Sequence, residues 1–466
     1  MQIPYLTRRR FLGATVSAFA LTIWPVSGAS AALAGRPVML EARPGKANLL
    51  ETSDAATAIW GYDGRVPGPV LRARQGDEVW VRFTNRLDQP TTIHWHGIRI
   101  DNAMDGVAGL TQEAVQPGES FDYRFTVPDA GTYWYHPHNK TWEQMARGLY
   151  GVLIVEEKDA PDVDQDIIVV ADDWRLGENG AIHEASFGSI GERAHAGRLG
   201  NILTINGDPL GAFKVRAGER VRLRLVNSCN ARILKLRFED LEPQVLALDG
   251  QPVTPYALKN EIATLGPAQR MDLLIHMTGH PGASQAITEV SQSRLVAARF
   301  NYGSQAPLPV TKDTLKLAAN GLAVPDMASA KKVDLVMAGG AMGQVDRISH
   351  RGKTYSMREL VREHGLVWAF NGVAGMPEKP LFTAKRGETV AVRMVNETRW
   401  PHAMHFHGHH FREAHADAPW RDTLLMEAAE ERSVYFVADN PGKWMLHCHM
   451  LEHQAGGMAT WFEVEA

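Results

Sequence analysis

Cysteine is almost missing from this chain, with 2 among 466 residues, Cys229 and Cys448. A disulfide-stapled scaffold is thereby excluded, and at most one bridge is available. Excess charge of either sign is missing as well. The formal net charge of −4 offers no electrostatic footprint for nucleic acid, so no such partner is expected. No apolar stretch reaches the roughly 20 residues that a membrane-spanning helix needs. Glycine (42) and proline (25) are plentiful, which favours many turns and short strands. Hydrophobic content of 44% and charged content of 22% are those of a soluble globular protein. The length is too great for a single core and suits about two to four domains.

The N-terminus reads MQIPYLTRRRFLGATVSAFALTIWPVSGASA, with Arg8 to Arg10 ahead of an apolar run from Phe11 to about Val26. TRRRFLG resembles a bacterial twin-arginine signal, which exports proteins already folded. Residues 1–31 are therefore expected to be a removable leader, with Ala29-Ser30-Ala31 a candidate cleavage site. The expected location is the periplasm, with no membrane contact once the leader is gone. A membrane anchor is the competing reading, and the shortness of the run argues against it.

Three segments echo one another: GYDGRVPGPVLRARQGDEVWVRFTN (61–85), INGDPLGAFKVRAGERVRLRLVN (205–227) and FNGVAGMPEKPLFTAKRGETVAVRMVN (370–396). Each passes a Gly-(Asp/Glu) turn and enters an alternating strand that ends in Asn. Val79, Val81 and Phe83 correspond to Val221, Leu223 and Leu225, and to Val390, Val392 and Met394. Alternation with period two, bounded by turns, predicts half-buried strands. The segments start about 145 and 165 residues apart, a spacing that predicts domain triplication. A second echo aligns GTYWYHPH (131–138) with GKWMLHCH (442–449), where Pro137 stands in the place of Cys448. The middle segment has no such His-x-His. The expected fold is all-β, with three β-sandwich domains at 36–158, 165–312 and 330–466, metal ligands only in the first and third, and a linker around 303–332.

Four clusters use ten of the 19 histidines: HWH (His94, His96), HPH (His136, His138), HAMHFH (His402, His405, His407) and HCHMLEH (His447, His449, His453). In a strand, residues two apart share a face and the residue between them points the other way. Each His-x-His can therefore aim two imidazoles at one place. Eight imidazoles arranged so predict a site between the first and third domains. Cys448 faces away from it. His402, three residues before His405, points the opposite way too if its strand continues, and His453 can fold back beside Cys448. One thiolate, two imidazoles and the Met458 thioether make the ligand set of a blue copper site. Cys448 would then hold one metal while both its sequence neighbours hold a cluster. A zinc site wants only a closed set of four ligands, fewer than are arranged here. Cys229 is expected to be a buried thiol.

With these motifs in hand, the sequence resembles the three-domain multicopper oxidases: laccases, ascorbate oxidase and bacterial cuprous oxidases. HWHG, HPH, HxxHxHG and HCHxxxHxxxxM carry the resemblance, which covers about residues 45 to 466. It implies cupredoxin-like Greek-key domains, four copper ions and four one-electron oxidations coupled to reduction of dioxygen to water. It also implies a type 1 copper on His402, Cys448, His453 and Met458. A type 2 copper is implied on His94 and His405, and a type 3 pair on His96, His136, His138, His407, His447 and His449. Electrons would reach the type 1 site through His453 or His402 at the surface. Asp105 resembles the acidic residue that the family places near its cluster. Relatives often carry a glutamate after the last type 1 histidine, where this chain has Gln454, so Glu452 is the substitute candidate for moving protons. Asp422, in WRDT, is expected to support the site, while His409, His410 and His415 are expected at the surface or in packing. A copper nitrite reductase is disfavoured because it would have a cysteine at Pro137. A copper-storage protein is disfavoured because the methionines are scattered. A scaffold protein that has lost its coppers is disfavoured because every ligand is present. The expected partners are dioxygen and a small reductant, which is a phenol, an aromatic amine or Cu(I). The segment 337–361, with three methionines, is thin for a Cu(I)-binding insertion. The chain is expected to be a monomer.

Overall fold

The computed structural model of the protein describes residues 36–51, 56–291, 294–310, 314–343, 345–415 and 417–466. The expected leader at 1–31 lies outside them. Among the described residues no helix is long and apolar enough to cross a membrane.

Three sandwiches each pack two sheets around a core. In the first, one sheet runs in the order Thr57–Tyr62, Val38–Ala47, Glu78–Asn85, Ser120–Thr126, and the other in the order Leu71–Arg74, Gly151–Glu156, Gly131–His136, His94–His96. In the third, the ligand-bearing sheet runs Thr383–Lys385, Ala459–Glu465, Gly442–Cys448, His402–Phe406, Thr423–Met426. The second sandwich has a six-stranded and a five-stranded sheet. The alternating residues singled out above fill the cores. Val79, Val81 and Phe83 belong to one, Val221, Leu223 and Leu225 to another, and Val390, Val392 and Met394 to the third. Burying each such side chain contributes roughly 1.5–3 kcal/mol.

The same local devices recur at both ends of these strands. Gly76, Gly218 and Gly387 sit at φ +95°, +88° and +85°, a region that side chains avoid. Their N–H groups donate to Val127, Met277 and Ala438, which tie the turn to the next strand of the same sheet. At the far end, Asn85, Asn227 and Asn396 act as staples. Each amide donates to two loop carbonyls, and each side-chain oxygen accepts from the backbone N–H two residues on. Loop polar groups that packing would otherwise strand are thereby satisfied.

One expectation needs correction. The strand Arg220–Asn227 is buried along its whole length, not on one face. Its polar face, with Arg222 and Arg224, packs toward the first sandwich. There Asp272 accepts from Arg222 (2.7 Å), Arg224 (3.4 Å) and Thr132 (2.7 Å). Segment 303–332 carries no helix or strand among its described residues until Lys331. It is nonetheless pinned, because Asn320 bonds both backbone groups of Ala130 and the side chain of Gln251, and Leu317 is buried.

Candidate metal centres

The histidine strands are paired so that imidazoles oppose one another. His94–His96 runs antiparallel to Gly131–His136, with His94 opposite His136. His402–Phe406 runs antiparallel to Gly442–Cys448, with His405 opposite His447 and Met404 opposite Cys448. Pleating sends the intervening residues to the other side. Trp95 enters the core of the first sandwich, and Met404 and Cys448 enter that of the third.

The eight remaining imidazoles meet between the first and third sandwiches. His94 stacks on His407 with ring centroids 3.9 Å apart, and His96 stacks on His405 at 3.8 Å. Their nitrogens form closed sets. His96, His136 and His449 lie together, as do His138, His407 and His447, and His94 lies with His405 and His96. Within these sets His407 Nε2 is 3.1 Å from His447 Nε2, and His136 Nε2 is 3.4 Å from both His96 Nδ1 and His449 Nε2.

The ring nitrogens outside the sets are largely committed as donors. His94 Nδ1 donates to the Asp105 carbonyl (2.8 Å), His405 Nδ1 to the Asp422 carbonyl (2.9 Å), His136 Nδ1 to Pro137 (3.0 Å) and His447 Nδ1 to Cys448 (2.9 Å). His407 Nδ1 donates to the Asp105 carboxylate (3.0 Å) and His96 Nε2 to Asp422 Oδ1 (3.3 Å). Each of these bonds leaves the opposite nitrogen as a bare lone pair directed inward. The Nε2 atoms of His94, His405 and His138 are buried with no hydrogen-bond partner. Burial first, and in most cases neighbouring imidazoles, hold His96, His136, His138, His405, His407, His447 and His449 below the ordinary histidine range. Neutral lone pairs this close repel unless a cation sits among them.

On the other face of the same strand, His402 Nδ1 and His453 Nδ1 are 3.1 Å apart, and Cys448 Sγ is 3.6 and 3.8 Å from them. Two tetrahedral ligands at about 2.0–2.3 Å from one ion lie about 3.3–3.8 Å apart, close to the spacing found. Burial pushes the Cys448 thiol up to about 12, so a thiolate here calls for a positive partner. His402 Nε2 is held by Thr398 Oγ1 (2.9 Å), and His453 Nε2 donates to the His195 carbonyl (2.6 Å). Trp368 packs against both rings. Met458 is buried in the same core, and its carbonyl accepts from Cys448 N (3.1 Å). His402 and His453 are both 0% exposed, so neither reaches the surface as expected. The His195 carbonyl, just after the helix Ile190–Ala194, covers His453, while Thr398 and Trp368 lie against His402.

Asp105 is 2% exposed and spans two sets, with its carboxylate on His407 and its carbonyl on His94. Its turn requires the following glycine: Gly106 has φ +82°, and a Cβ there would lie 1.8 Å from the Ile93 carbonyl oxygen. Glu452 is buried on the helix Leu451–Ala455, and Oε1 accepts from Asn230 (3.0 Å) while Oε2 has no hydrogen-bond partner. Burial pushes its carboxyl up to about 7. His409 and His410 are buried in packing, and His415 is exposed. Cys229 is a buried free thiol. Sequence reasoning missed Thr398, the His195 carbonyl, Trp368 and Arg270, none of which lies in a metal-ligand motif.

This all-β fold places a buried thiol–imidazole set and a buried histidine cluster on two faces of one strand, and so offers donor sets for more than one metal ion. Comparison with known proteins gives the same answer. Multicopper oxidase family descriptions match residues 45–160, 165–293 and 349–466. The multicopper oxidase MmcO of Mycobacterium tuberculosis is 30% identical, covering 97% of this chain and 96% of its own. A crystal structure of a multi-copper oxidase from Pseudomonas thermotolerans superposes with a TM-score of 0.80 at 32% identity, covering 92% and 99%. Lac15 from a marine microbial metagenome gives a TM-score of 0.74 at 39% identity, covering 92% and 100%. The chain belongs to the multicopper oxidase family and is an oxidoreductase.

Proposed function

We propose that His402, Cys448, His453 and Met458 hold a type 1 copper and that His94 and His405 hold a type 2 copper. His96, His136 and His449, together with His138, His407 and His447, hold a type 3 pair. The supporting observation is the division of His447, Cys448 and His449 between closed donor sets on two faces of one strand. When bound, the coppers supply one-electron acceptance beside Cys448 and four-electron reduction of dioxygen to water at the histidine cluster. The chain supplies the short covalent path from Cys448 to both neighbouring ligands. Asp105 and Glu452 are the proton-delivering carboxylates. Asp105 contacts two ligand rings, and Glu452, on the turn after His449, keeps one oxygen unpaired in a buried site. The protein works as a monomer of three cupredoxin-like domains, at 36–158, 165–312 and 330–466.

The reductant is a phenol or aromatic amine, as in laccases. A second reading, a cuprous oxidase of copper tolerance, draws support from the cover over His453. Its Nε2–H is committed to the His195 carbonyl, so no donor touches that imidazole directly. Steady-state oxygen consumption with a phenol and with Cu(I), with and without added copper, separates the two. A laccase oxidises the phenol without added copper, whereas a cuprous oxidase turns over Cu(I) and oxidises phenols poorly.

Residues 1–31 direct twin-arginine export to the periplasm. Substituting Lys for both Arg8 and Arg9 is expected to leave the protein in the cytoplasm, and unchanged periplasmic yield refutes this.

A further inference from the structure

Among the described residues the middle sandwich contributes none of the proposed copper ligands, yet one of its side chains reaches the histidine cluster through Asp422. Arg270 opens the strand Arg270–His276. Its guanidinium is 0% exposed and reaches all three sandwiches. Nε donates to the Thr132 carbonyl (3.2 Å) in the first and Nη1 to the Ala268 carbonyl (3.2 Å) in its own. A two-pronged fork grips Asp422 in the third, with Nη1 at 2.9 Å from Oδ1 and Nη2 at 2.6 Å from Oδ2. A planar fork on a carboxylate fixes orientation as well as charge.

Asp422 in turn faces two cluster histidines. Its Oδ1 accepts from Thr423 Oγ1 (2.8 Å) and His96 Nε2 (3.3 Å), and its main-chain carbonyl accepts from His405 Nδ1 (2.9 Å). These bonds decide which nitrogen each ring turns inward. His96 presents Nδ1, 3.4 Å from His136 Nε2, and His405 presents its unpartnered Nε2. The space for the pair is reserved by Gly97, where a Cβ would lie 2.1 Å from Arg270 Nη2 and 2.4 Å from Asp422 Oδ2. The glycine of HWHG is thus required by a residue of another domain.

We propose that Arg270 is a positioning residue of the cluster: it holds Asp422 so that His96 and His405 present the correct nitrogens, which gives the ligand-free middle domain a part in metal binding. The inference rests on the cluster holding copper.

The test compares wild type with Arg270→Gln, Arg270→Lys and Arg270→Gln/Asp422→Asn, each loaded with copper and then exposed to a chelator. Copper per chain, the type 2 electron paramagnetic resonance signal and the blue absorbance are followed together with the thermal midpoint. Loss of an outer partner of a metal-bound histidine costs about 10–100-fold in metal affinity. Arg270→Gln is expected to lose cluster copper about that much more readily while keeping its blue band, and Arg270→Lys to fall between it and wild type. The double variant has no carboxylate at 422, and Asp249, also beside Arg270 (3.8 Å), keeps Arg421 (3.4 Å), so no buried charge is left alone and its thermal midpoint should recover while its cluster copper remains labile. If its copper retention recovers along with its midpoint, Arg270 only neutralises Asp422 and the proposal is overturned. Wild-type retention in Arg270→Gln overturns it as well. Should Arg270→Gln fail to fold, the Lys and double variants decide by the same criteria. A wild type that binds blue copper but none at the cluster contradicts the copper reading instead.

Discussion

The imidazoles of His96 and His405 stack with centroids 3.8 Å apart and planes within 15°, although one belongs to the first sandwich and the other to the third. Neither ring has such a neighbour inside its own sandwich. The cluster therefore exists only when the two sandwiches are docked, and metal binding is coupled to that docking.

Cys448 is the sole thiol near the candidate type 1 set. Cys448→Ser is expected to abolish the blue colour of the oxidised protein and lower copper content by one ion per chain. Visible absorbance and metal analysis check this, and a blue Ser variant contradicts the assignment.

His449 directly follows the strand Gly442–Cys448, yet its imidazole joins His96 and His136 while Cys448 joins His402 and His453. His449→Ala, like His94→Ala, should leave the blue band intact and stop oxygen consumption. A variant that bleaches the blue band yet still reduces oxygen rules out the two-faced strand.

Asp105 touches His407 and His94 at the ring nitrogens that face away from the histidine cluster. General acid–base groups contribute about 10²–10⁴-fold, so Asp105→Ala should slow reoxidation by dioxygen strongly, and Asp105→Glu less. Reduction of the blue site by substrate should be unchanged. Rapid-mixing spectra separate the halves, and normal reoxidation in both variants leaves Asp105 as a turn residue.

The domain interfaces are chemically legible only in part. Period-two alternation reveals which of Val79, Val81 and Phe83 face inward, because water and core impose that pattern on each strand separately. Alternation also reveals that His447 and His449 share a face that Cys448 does not. It cannot show that the charged face of Arg220–Asn227 is buried, because arginines bound for solvent and arginines bound for Asp272 read alike. Arg270 is hidden for the same reason: its partners are 138 and 152 residues away in sequence. The cover on His453 is a backbone carbonyl of His195, which no side-chain motif encodes.

Asp272 offers a stability test of that buried interface. It accepts from two arginines that are at most 1% exposed. Leaving a buried charge unpaired costs about 3–5 kcal/mol, but Arg222 keeps Glu157 (2.8 Å) and Arg224 keeps Asp166 (2.6 Å), so Asp272→Asn should lower the denaturation midpoint by less than that while sparing the blue spectrum of the folded fraction. A midpoint equal to wild type contradicts the role given to this cluster.

The most direct measurement is anomalous diffraction at the copper edge from crystals of the copper-loaded protein. Four peaks are expected. One lies among His402, Cys448, His453 and Met458, and three lie among the eight imidazoles between the first and third sandwiches. A single peak at Cys448 with none among those imidazoles, or a cluster signal belonging to another metal, contradicts the account.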